Sequence, residues 1–502
     1  MSFKMNIYLF LIYYCVQLCG STPISNYLRQ RENLIRKSQS FAIGSHLKLD
    51  ENEVVVNEIL MEYKKQELWH GFNPKSYLAG KYFTEAKEGI ERSCVYKIIQ
   101  KLPKGANLHC HDEGMVSADY IFNNLTHRSN LYVNYKPNHP NIKLRFLKTN
   151  PGPPWFPIET FRTISDSFDV RLKESLTIAR NNSRVLYSDI DSVWKAFQDI
   201  FPLIQSMINY KSAYEDFLYQ ALLEQYEDNI KYVEVRLDLS PLYDLKGTKY
   251  TIEDKVKVVL QVVRNFQRDH LDFWGAKLIL SIMRGSDFDD IQHKLEIIKT
   301  IAQKYPGFVV GIDLIGQKDL GKPLINFLPQ LMDLQKQGIK FFFHAGETLW
   351  NGEASDQNLY DAILLNTSRI GHGYAVTKHP EILRLIKEKS IPLEISPISN
   401  QILGLVKDLR NHPANFLIAN NYPLVITSDD PAIWNAQGLS FDWYMTFMAM
   451  TGSDVDLKFL KQLAMNSIIY SSMTPNFKQE VLKSWNDDWE FFLREVMYNN
   501  VC

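Results

Sequence analysis

The spacing of apolar residues divides the chain into a helical N-terminal part and a longer part in which strands and helices alternate. From residue 22 to about residue 100, apolar positions recur at helical spacing and no strand pattern occurs. Two helix faces stand out, one made by Val56, Ile59, Leu60 and Tyr63 and the other by Phe83, Ala86, Ile90 and Cys94. Asp50 precedes the first face and is suited to cap its helix. These helices either pack on the main domain or form an arm for self-association.

Eight short apolar segments of strand length follow from Gly105 onward. They comprise residues 106–111, 232–238, 277–284, 308–316, 340–347, 369–373, 392–399 and 424–430. Most of the intervals between the last seven contain helix-like segments, such as residues 255–268 and 290–303. Eight alternations of strand and helix predict an α/β fold of the (β/α)8 TIM-barrel type, to which the N-terminal helices add an arm.

The interval between the first and second predicted strands is longer than one loop and one helix require, since it contains over a hundred residues. Residues 194–228 are amphipathic and predict the first barrel helix, so the excess lies at about residues 114–190. This insertion contains the sequence Pro-Gly-Pro-Pro-Trp-Phe-Pro at 151–157, a rigid loop that carries aromatic side chains. The insertion leaves the barrel on the side where active sites of this fold lie, and we expect a binding or shielding subdomain there.

Composition and charge favour a folded protein and give no electrostatic argument for nucleic acid or an anionic membrane as a partner. The chain has 502 residues, 45% of them hydrophobic, and its 56 Lys and Arg nearly balance its 57 Asp and Glu. Lys4 and the apolar segment at 7–19 predict a secretory signal peptide at 1–20, with an uncleaved anchor or a buried helix as alternatives. The expected order is then signal peptide, helical region at 21–100 and barrel at 101–502.

The cysteines do not form the pattern of a disulfide-stapled fold. Loss of the signal peptide leaves Cys94, Cys110 and Cys502, an odd number without a framework spacing. A bridge between Cys94 and Cys110 and two isolated buried thiols are equally compatible with this pattern. Glycosylation sequons, which are used only if exposed in a secreted chain, begin at Asn124, Asn181 and Asn366.

Four of the chain's 12 histidines stand at the carboxyl ends of predicted barrel strands, where catalytic groups of this fold converge. The imidazoles of His109 and His111 are two residues apart and point to the same side of the first strand, whereas Cys110 points outward. Three imidazoles and one carboxylate suit zinc. We therefore expect one zinc ion bound by His109, His111, His344 and Asp429, because no strand-end lysine is present to bridge a second metal.

Three further polar residues lie next to these candidate ligands in the predicted strands. Glu347 follows the fifth strand and is free to move a proton, because a water-poor pocket raises the pKa of a carboxyl group toward that role. His372, at the end of the sixth strand, can orient the attacking water and take its proton, and Asp430 can contact the substrate. The pattern by itself indicates a metal hydrolase and little more.

Four longer motifs carry a resemblance to a known family. The chain resembles the adenosine deaminases in Lys-Gly-Ala-Asn-Leu-His-Cys-His at 104–111, Phe-His-Ala-Gly-Glu-Thr at 343–348, Arg-Ile-Gly-His-Gly at 369–373 and Thr-Ser-Asp-Asp-Pro at 427–431. More narrowly, it resembles the secreted adenosine deaminase growth factor family, whose plan includes an N-terminal arm and an insertion. The motifs are in the family's order and span residues 105–431.

The resemblance implies a reaction and a role for each site residue. Zinc would activate a water for attack on C6 of adenosine or 2'-deoxyadenosine, Glu347 would protonate ring N1, and His372 would handle the water's proton. Inosine and ammonia would be the products from adenosine. The backbone of Gly316 would meet the purine, and Asp430 would meet N7. Further substrate contacts implied by the resemblance are Trp194, Phe201, Asp112 and Glu113.

The family also implies a homodimer interface at residues 22–100 and a receptor- or glycan-binding subdomain in the insertion, with growth-factor activity through adenosine depletion. Two features depart from the family pattern. Met283 stands before Arg284 where members often have histidine, and the insertion contains no cysteine for the disulfide expected there. The alternatives are a hydrolase for another aminopurine or a nucleotide, and a secreted binding protein that uses the barrel as a scaffold.

Overall fold

The computed structural model describes residues 23–72, 76–135, 142–179, 189–499 and 502. The signal peptide predicted at 1–20 and the sequon at Asn181 lie outside these residues. Within the described ranges, every helix is too short or too polar to span a membrane.

Four helices of the described chain precede the barrel, in agreement with the apolar spacing. They are α1 (Pro23–Gln39), α2 (Glu51–Gly71), α3 (Phe83–Glu91) and α4 (Cys94–Lys101). Asp50 caps α2 reciprocally, since its carboxylate accepts from the Glu53 N–H at 2.9 Å and the Glu53 carboxylate accepts from the Asp50 N–H at 3.0 Å. The prediction that Cys94 continues the helix containing Phe83 is wrong, because that helix ends before it and Ser93 caps a new one.

The first barrel strand, β1 (Gly105–His111), leads into the insertion. The elements of the insertion are α5 (Ala118–Tyr120), β2 (Leu131–Asn134), β3 (Lys143–Phe146), β4 (Phe156–Pro157), α6 (Ile158–Ile164) and α7 (Asp166–Glu174). Its three strands form a small antiparallel sheet in the order β3-β2-β4. The chain after α7 returns to the barrel, where the Ile178 N–H donates to the Ile433 carbonyl at 2.8 Å. An insertion after the first strand is therefore present, as predicted.

Two helices, α8 (Ile190–Ile208) and α9 (Lys211–Glu227), connect the insertion to the second barrel strand. The single helix predicted over 194–228 is wrong, because the backbone is extended at Tyr210 and starts a new helix there. The next elements are β5 (Ile230–Asp238), α10 (Ile252–Asp269), β6 (Gly275–Met283), α11 (Phe288–Lys304), β7 (Val309–Ile315), α12 (Leu328–Lys336), β8 (Lys340–Phe341), β9 (His344–Ala345) and α13 (Ala354–Leu364). They are followed by β10 (Ile370–His372), α14 (Pro380–Lys389), β11 (Leu393–Ile395), α15 (Pro397–Ile402), α16 (Ala414–Ala419), β12 (Leu424–Ile426), α17 (Ser440–Ala449), α18 (Leu457–Ile469) and α19 (Pro475–Tyr498).

The parallel strands form a ring. β1, β5, β6, β7 and β8 pair in that order, and β12, β11, β10 and β9 pair in a second run. β8 and β9 are two parts of the predicted fifth strand, and between them the Phe342 N–H donates to the Ile312 carbonyl at 3.0 Å. β1 meets the end of β12, because the Asp429 N–H donates to the His109 carbonyl at 3.0 Å and the His111 N–H donates to the Asp429 carbonyl at 3.1 Å. The predicted (β/α)8 barrel is confirmed.

The seventh strand is shorter than predicted, and the difference matters for the site. The sequence predicts strand over 392–399, but β11 ends at Ile395 and α15 starts at Pro397. Proline is favoured in the first turn of a helix, because it lacks an N–H and its φ already suits the helix. The early turn brings Ser399 and Asn400 to the end of the barrel, where both contact site residues.

A disulfide between Cys94 and Cys502 ties the start of α4 to the C-terminus. The Cys94–Cys110 bridge considered from the sequence is wrong, since the buried Cys110 thiol is free and donates to the Glu234 carbonyl on the neighbouring strand. Cys110 also stays outside the histidine cluster described below, as the alternation of side chains in β1 predicts.

Candidate active site

The metal ligands predicted from the sequence converge at the carboxyl ends of the barrel strands. One ligand atom each from His109, His111, His344 and Asp429 lies within 4.8 Å of the others. Asp429 Oδ1 is 3.3 Å from Nε2 of His109 and 3.1 Å from Nε2 of His111. Three imidazole nitrogens and one carboxylate oxygen, largely shielded from solvent, form a donor set that fits a metal ion of the zinc type.

Buried carboxylates orient two of these imidazoles. Nδ1 of His109 lies 2.8 Å from Oε2 of Glu394, and Nδ1 of His344 lies 2.6 Å from Oδ2 of Asp313. When Nδ1–H donates to a carboxylate, Nε2 is left free to face a metal. Arg236 connects the two carboxylates, at 2.6 Å from Glu394 and 2.7 Å from Asp313. These contacts fix the ring orientation that the cluster needs.

The electrostatics of the cluster favour a bound cation. Burial would raise the pKa of Glu394, but Arg236 and Arg369 hold it well below its usual value. Burial also opposes the charge of Asp429, but its close contacts with the imidazoles of His109 and His111 hold its pKa well below the usual range. Both carboxyl groups are therefore anionic at neutral pH and place negative charge at or beside the ligand positions.

Two site residues adopt left-handed backbone conformations that residues other than glycine rarely take. The φ angle is 59° at His372 and 60° at Asp429. Their side chains approach each other, with Nε2 of His372 3.7 Å from Oδ2 of Asp429. The Ser399 hydroxyl donates to the same oxygen at 2.7 Å. Such conformations cost on the order of 1–3 kcal/mol each and often cluster at functional sites.

Glu347 lies beside the cluster, between the side chains of Lys318 and His372. Lys318 forms an ion pair with Oε2 of Glu347, and Nε2 of His372 lies 3.5 Å from Oε1. Burial raises the pKa of Glu347, and Lys318 opposes that rise. A buried carboxyl group with a raised pKa beside candidate metal ligands suits proton transfer.

The cluster opens into a cavity of about 440 Å³. His111, His344, Glu347 and Asp429 line it. The residues predicted to bind substrate also line it, namely Trp194, Phe201, Gly316, Asp430 and Asp112. The volume lies in the range of small-molecule sites. Residues predicted as ligands, as proton donor and as substrate contacts are thus brought together from widely separated parts of the chain.

Some buried polar atoms at this site have no hydrogen-bond partner among the described residues. They are Nε2 of His372 and Oδ1 of Asp430. Burial, with the charge of Asp429 beside it, raises the pKa of Asp430 well above its usual value. A protonated Asp430 can donate a hydrogen bond to an acceptor in the cavity. Unpaired buried groups of this kind indicate that a polar ligand completes the site.

Asp112 and Glu113, which follow β1, differ in whether their carboxyl oxygens are available to a ligand in the cavity. Asp112 has both oxygens occupied, since Oδ2 accepts from the Tyr214 hydroxyl at 3.0 Å and Oδ1 from the Asp238 N–H at 3.0 Å. Glu113 also lines the cavity, and burial followed by the charges of Asp238 and Asp112 raises its pKa well above the usual value. Glu113 is therefore the better placed of the two to contact a ligand.

Gly316 and Met283 form one wall of the cavity. Gly316 has a φ of 95°, which glycine adopts without strain. A Cβ at this position would lie 3.0 Å from the terminal methyl of Met283, so the side chain at 283 packs over the Gly316 backbone. Met283 is 41% exposed and lines the cavity, where its thioether offers no strong hydrogen bond.

Several site residues were not predicted from the sequence. Asp313 and Glu394 lie inside predicted apolar strands, and an acidic residue in such a strand is a signal of a buried partner. Lys318 and Asn400 lie in loop or helix segments without any comparable signal. Their roles depend on which segments the barrel brings together.

The fold and the cluster together define a metal-dependent hydrolase of the (β/α)8-barrel class. Residues 159–487 match the sequence model of the family described as Adenosine deaminase, and residues 7–99 match the one described as Adenosine/AMP deaminase N-terminal. The chain belongs to the adenosine deaminase family. Its matches to adenosine deaminase 2 sequences confirm the resemblance to the growth factor branch of that family.

Individual relatives cover nearly the whole chain. Adenosine deaminase 2 of Sus scrofa is 39% identical over 482 residues, which is 93% of this chain and 94% of that protein. An adenosine deaminase of Phlebotomus duboscqi is 38% identical over 483 residues, with 93% of each chain covered. The crystal structure of an adenine deaminase from Arthrobacter aurescens is similar with a TM-score of 0.57 at 20% identity, covering 77% of this chain and 98% of that one. The last likeness concerns the fold alone.

Proposed function

We propose that the protein is an extracellular, zinc-dependent adenosine deaminase that hydrolyses adenosine, and also 2'-deoxyadenosine, with release of ammonia. The observation that carries this proposal is the convergence of His109, His111, His344 and Asp429 beside Glu347 in a cavity of small-molecule size. Family membership supports the reaction, because the relatives are named for it. 2'-Deoxyadenosine is included because it carries the same purine ring.

Zinc is the metal that the donor set suits best. His109, His111, His344 and Asp429 would hold it, with His109 and His344 fixed by Glu394 and Asp313. When bound, zinc lowers the pKa of a coordinated water to near 7 and so supplies the nucleophile. A second grouping, His344, Glu347 and His372, also has compatible spacing, but the ion pair with Lys318 favours Glu347 as a proton-transfer group instead.

Glu347 and His372 are proposed as the catalytic side chains. Glu347 is buried with a raised pKa, so its carboxyl group can carry a proton to N1 of the purine as the ring accepts the attacking oxygen at C6. His372 lies within 3.7 Å of both Glu347 and Asp429, where it would contact the attacking water. The ring thus gains a proton at N1, and the amino group then takes the proton of the added hydroxyl as the C6–N bond breaks, so that ammonia leaves and C6 becomes a carbonyl.

The remaining cavity residues are proposed to bind and orient the nucleoside. Asp430 would donate to N7, since its raised pKa keeps a proton on its carboxyl group. The exposed backbone of Gly316 would meet the purine edge, and Trp194 and Phe201 would cover the sugar. Asp112 and Glu113 are the candidates for the ribose hydroxyls, with Glu113 favoured because the oxygens of Asp112 are already used.

Secretion is proposed from the signal peptide predicted at 1–20 and is supported by two features of the described chain. The Cys94–Cys502 disulfide is typical of oxidising compartments. The sequons at Asn124 and Asn366 have exposed asparagines, which suits glycosylation. Growth-factor activity would follow if the enzyme depletes extracellular adenosine.

A homodimer is proposed through the N-terminal helices. No residue of α1 is buried, and its Ile24, Tyr27 and Leu34 are 62%, 66% and 67% exposed. A helix that leaves an apolar face without a partner is expected to bury it against another chain. The insertion at about 114–190 is proposed to bind a cell-surface receptor or a glycan, since it forms a separate small sheet next to the barrel mouth.

The experiment that tests the activity compares wild type with Glu347→Gln in the conversion of adenosine to inosine, followed by ultraviolet absorbance. Loss of the proton donor is expected to lower kcat by about 10²–10⁴-fold while the zinc content is unchanged. Glu381→Gln is the control, because Glu381 is an exposed carboxylate on α14. Normal turnover by Glu347→Gln would contradict the assignment, and a biological effect that survives without turnover would favour the binding-protein alternative.

A further inference from the structure

His372 has one ring nitrogen at the proposed reaction site and the other bound to buried side chains that lead away from it. Nε2 lies 3.5 Å from Oε1 of Glu347 and 3.7 Å from Oδ2 of Asp429. Nδ1 lies 3.0 Å from Nδ2 of Asn400, and Oδ1 of Asn400 lies 3.0 Å from Nε2 of His412. His372, Asn400 and His412 are at most 2% exposed, so solvent does not replace these contacts.

The direction of each hydrogen bond in the series His372–Asn400–His412 follows from the contacts of His412, the member farthest from the proposed reaction site. The Ala414 N–H donates to Nδ1 of His412 at 3.0 Å, and a backbone N–H can only donate. Burial lowers the pKa of His412 to about 3, so the ring is neutral and its single proton lies on Nε2. That N–H donates to Oδ1 of Asn400, which fixes the orientation of the amide. The amide NH2 of Asn400 must then donate to Nδ1 of His372.

The local sequence explains why these side chains meet. Pro397 ends the seventh strand early and starts α15, which carries Asn400 across the end of the barrel. His412 precedes Pro413 and the start of α16, where the Ala414 N–H at the helix end is available to its ring. The His412 ring also packs perpendicular to the Tyr374 ring, at 5.2 Å between ring centroids. The series is therefore held by backbone as well as by side chains.

We propose that Asn400 and His412 are positioning residues that hold His372 as the tautomer with its proton on Nε2. Because Nδ1 accepts from Asn400, the one proton of the neutral ring lies on Nε2, which faces Glu347 and Asp429. His372 then donates a hydrogen bond to the attacking water oxygen and does not accept its proton. This differs from the expectation from the sequence, and it leaves Glu347 as the group that moves protons.

The other tautomer of His372, with its proton on Nδ1, has no consistent set of hydrogen-bond donors and acceptors around it. If the Asn400 amide were reversed, its NH2 would face the N–H of His412. If the His412 proton moved from Nε2 to Nδ1 to avoid this, the new Nδ1–H would face the Ala414 N–H, which is also a donor. Either change leaves two donors facing each other in a buried place, which is strongly unfavourable. The expected effect of the His372 tautomer on turnover rests on the proposed function. The tautomer itself follows from the hydrogen bonds alone.

The tautomer can be measured without any substrate. Solid-state 15N NMR of the zinc-loaded full chain, labelled at histidine, separates protonated from unprotonated ring nitrogens, and His372→Gln assigns the signals. We expect protonated Nε2 and unprotonated Nδ1 in wild type. In Asn400→Asp the carboxylate accepts from both rings, so the proton is expected on Nδ1 of His372 and kcat is expected to fall by about 10²-fold or more at similar KM and zinc content.

Two variants at position 412 keep the proposal testable if Asn400→Asp does not fold. His412→Gln retains a donor to Asn400 and is expected to keep the tautomer and most of the activity, whereas His412→Leu is expected to lose both. Wild-type His372 protonated on Nδ1, or equal tautomer and kcat in the two variants, would overturn the proposal. A protein with the expected tautomer but no turnover of adenosine would instead refute the proposed function alone.

Discussion

The ammonium group of Lys318 pairs with the carboxylate of Glu347, and only 3% and 1% of the two side chains are exposed. The same ammonium lies 5.6 Å from the centre of the Trp194 ring. A lysine is thus buried in the wall of the cavity, directly beside the proposed proton donor. Its positive charge stabilises the carboxylate form of Glu347 and so limits how far burial raises the pKa of that group.

Lys318→Met is expected to raise the pKa of Glu347 further. The direction of this pKa change follows from the ion pair. Removing the cation disfavours the carboxylate form, so Glu347 keeps its proton to higher pH. Since protonated Glu347 is the proposed donor, the alkaline decline of kcat/KM is expected to move up by about one pH unit or more. Lys294→Met is the control, as that lysine is on the surface of α11. An alkaline limb that stays in place or moves down would contradict this account of the ion pair.

Glu394→Gln is expected to weaken metal binding although it leaves all four proposed metal ligands unchanged. Glu394 accepts from Nδ1 of His109 and also pairs with Arg236 and Arg369, so its neutralisation loosens the imidazole and leaves two buried cations undercompensated. Loss of such a supporting carboxylate typically costs about 10–100-fold in metal affinity. Competition with a zinc chelator measures the effect. Asp313→Asn should lower the metal affinity in the same way, because Asp313 holds the His344 ring. Unchanged metal affinity in both variants would show that the imidazoles do not need these carboxylates to be oriented.

Leu34→Asp is expected to dissociate the proposed dimer. The side chain belongs to the exposed apolar face of α1, where a buried charge in a subunit interface would be unpaired. Light scattering over a range of concentrations measures the mass. Asn33→Asp introduces the same charge on a different side of α1 and should leave the dimer intact. Wild-type protein that is monomeric at all concentrations would end the dimer proposal.

The barrel and most of the candidate site could be predicted from the sequence because one pattern recurs along the chain. Apolar strands that end in His109, His111, His344 and Asp429 place those residues at one end of a parallel barrel, whatever the details of the loops. The same pattern places Glu347 at this end of the barrel, three residues after the proposed ligand His344. Each of these residues is found in the cluster or beside it.

Other features depend on contacts between distant segments and could not be read from local pattern. Cys94 pairs with Cys502, a partner 408 residues away, because the C-terminus returns to the N-terminal helices. Lys318 reaches Glu347 because the loop after β7 lines the cavity. Helix and strand ends differ from the predicted ones where a single residue redirects the chain, as Pro397 does after β11.

The most direct test of the central claim is adenosine turnover by the purified protein before chelation, after chelation and after zinc is restored. We expect rapid conversion to inosine, its loss when the metal is removed, and its return with about one zinc per chain, the number that His109, His111, His344 and Asp429 together would hold. Zinc-loaded protein that leaves adenosine unchanged would contradict the account and would direct attention first to other aminopurines.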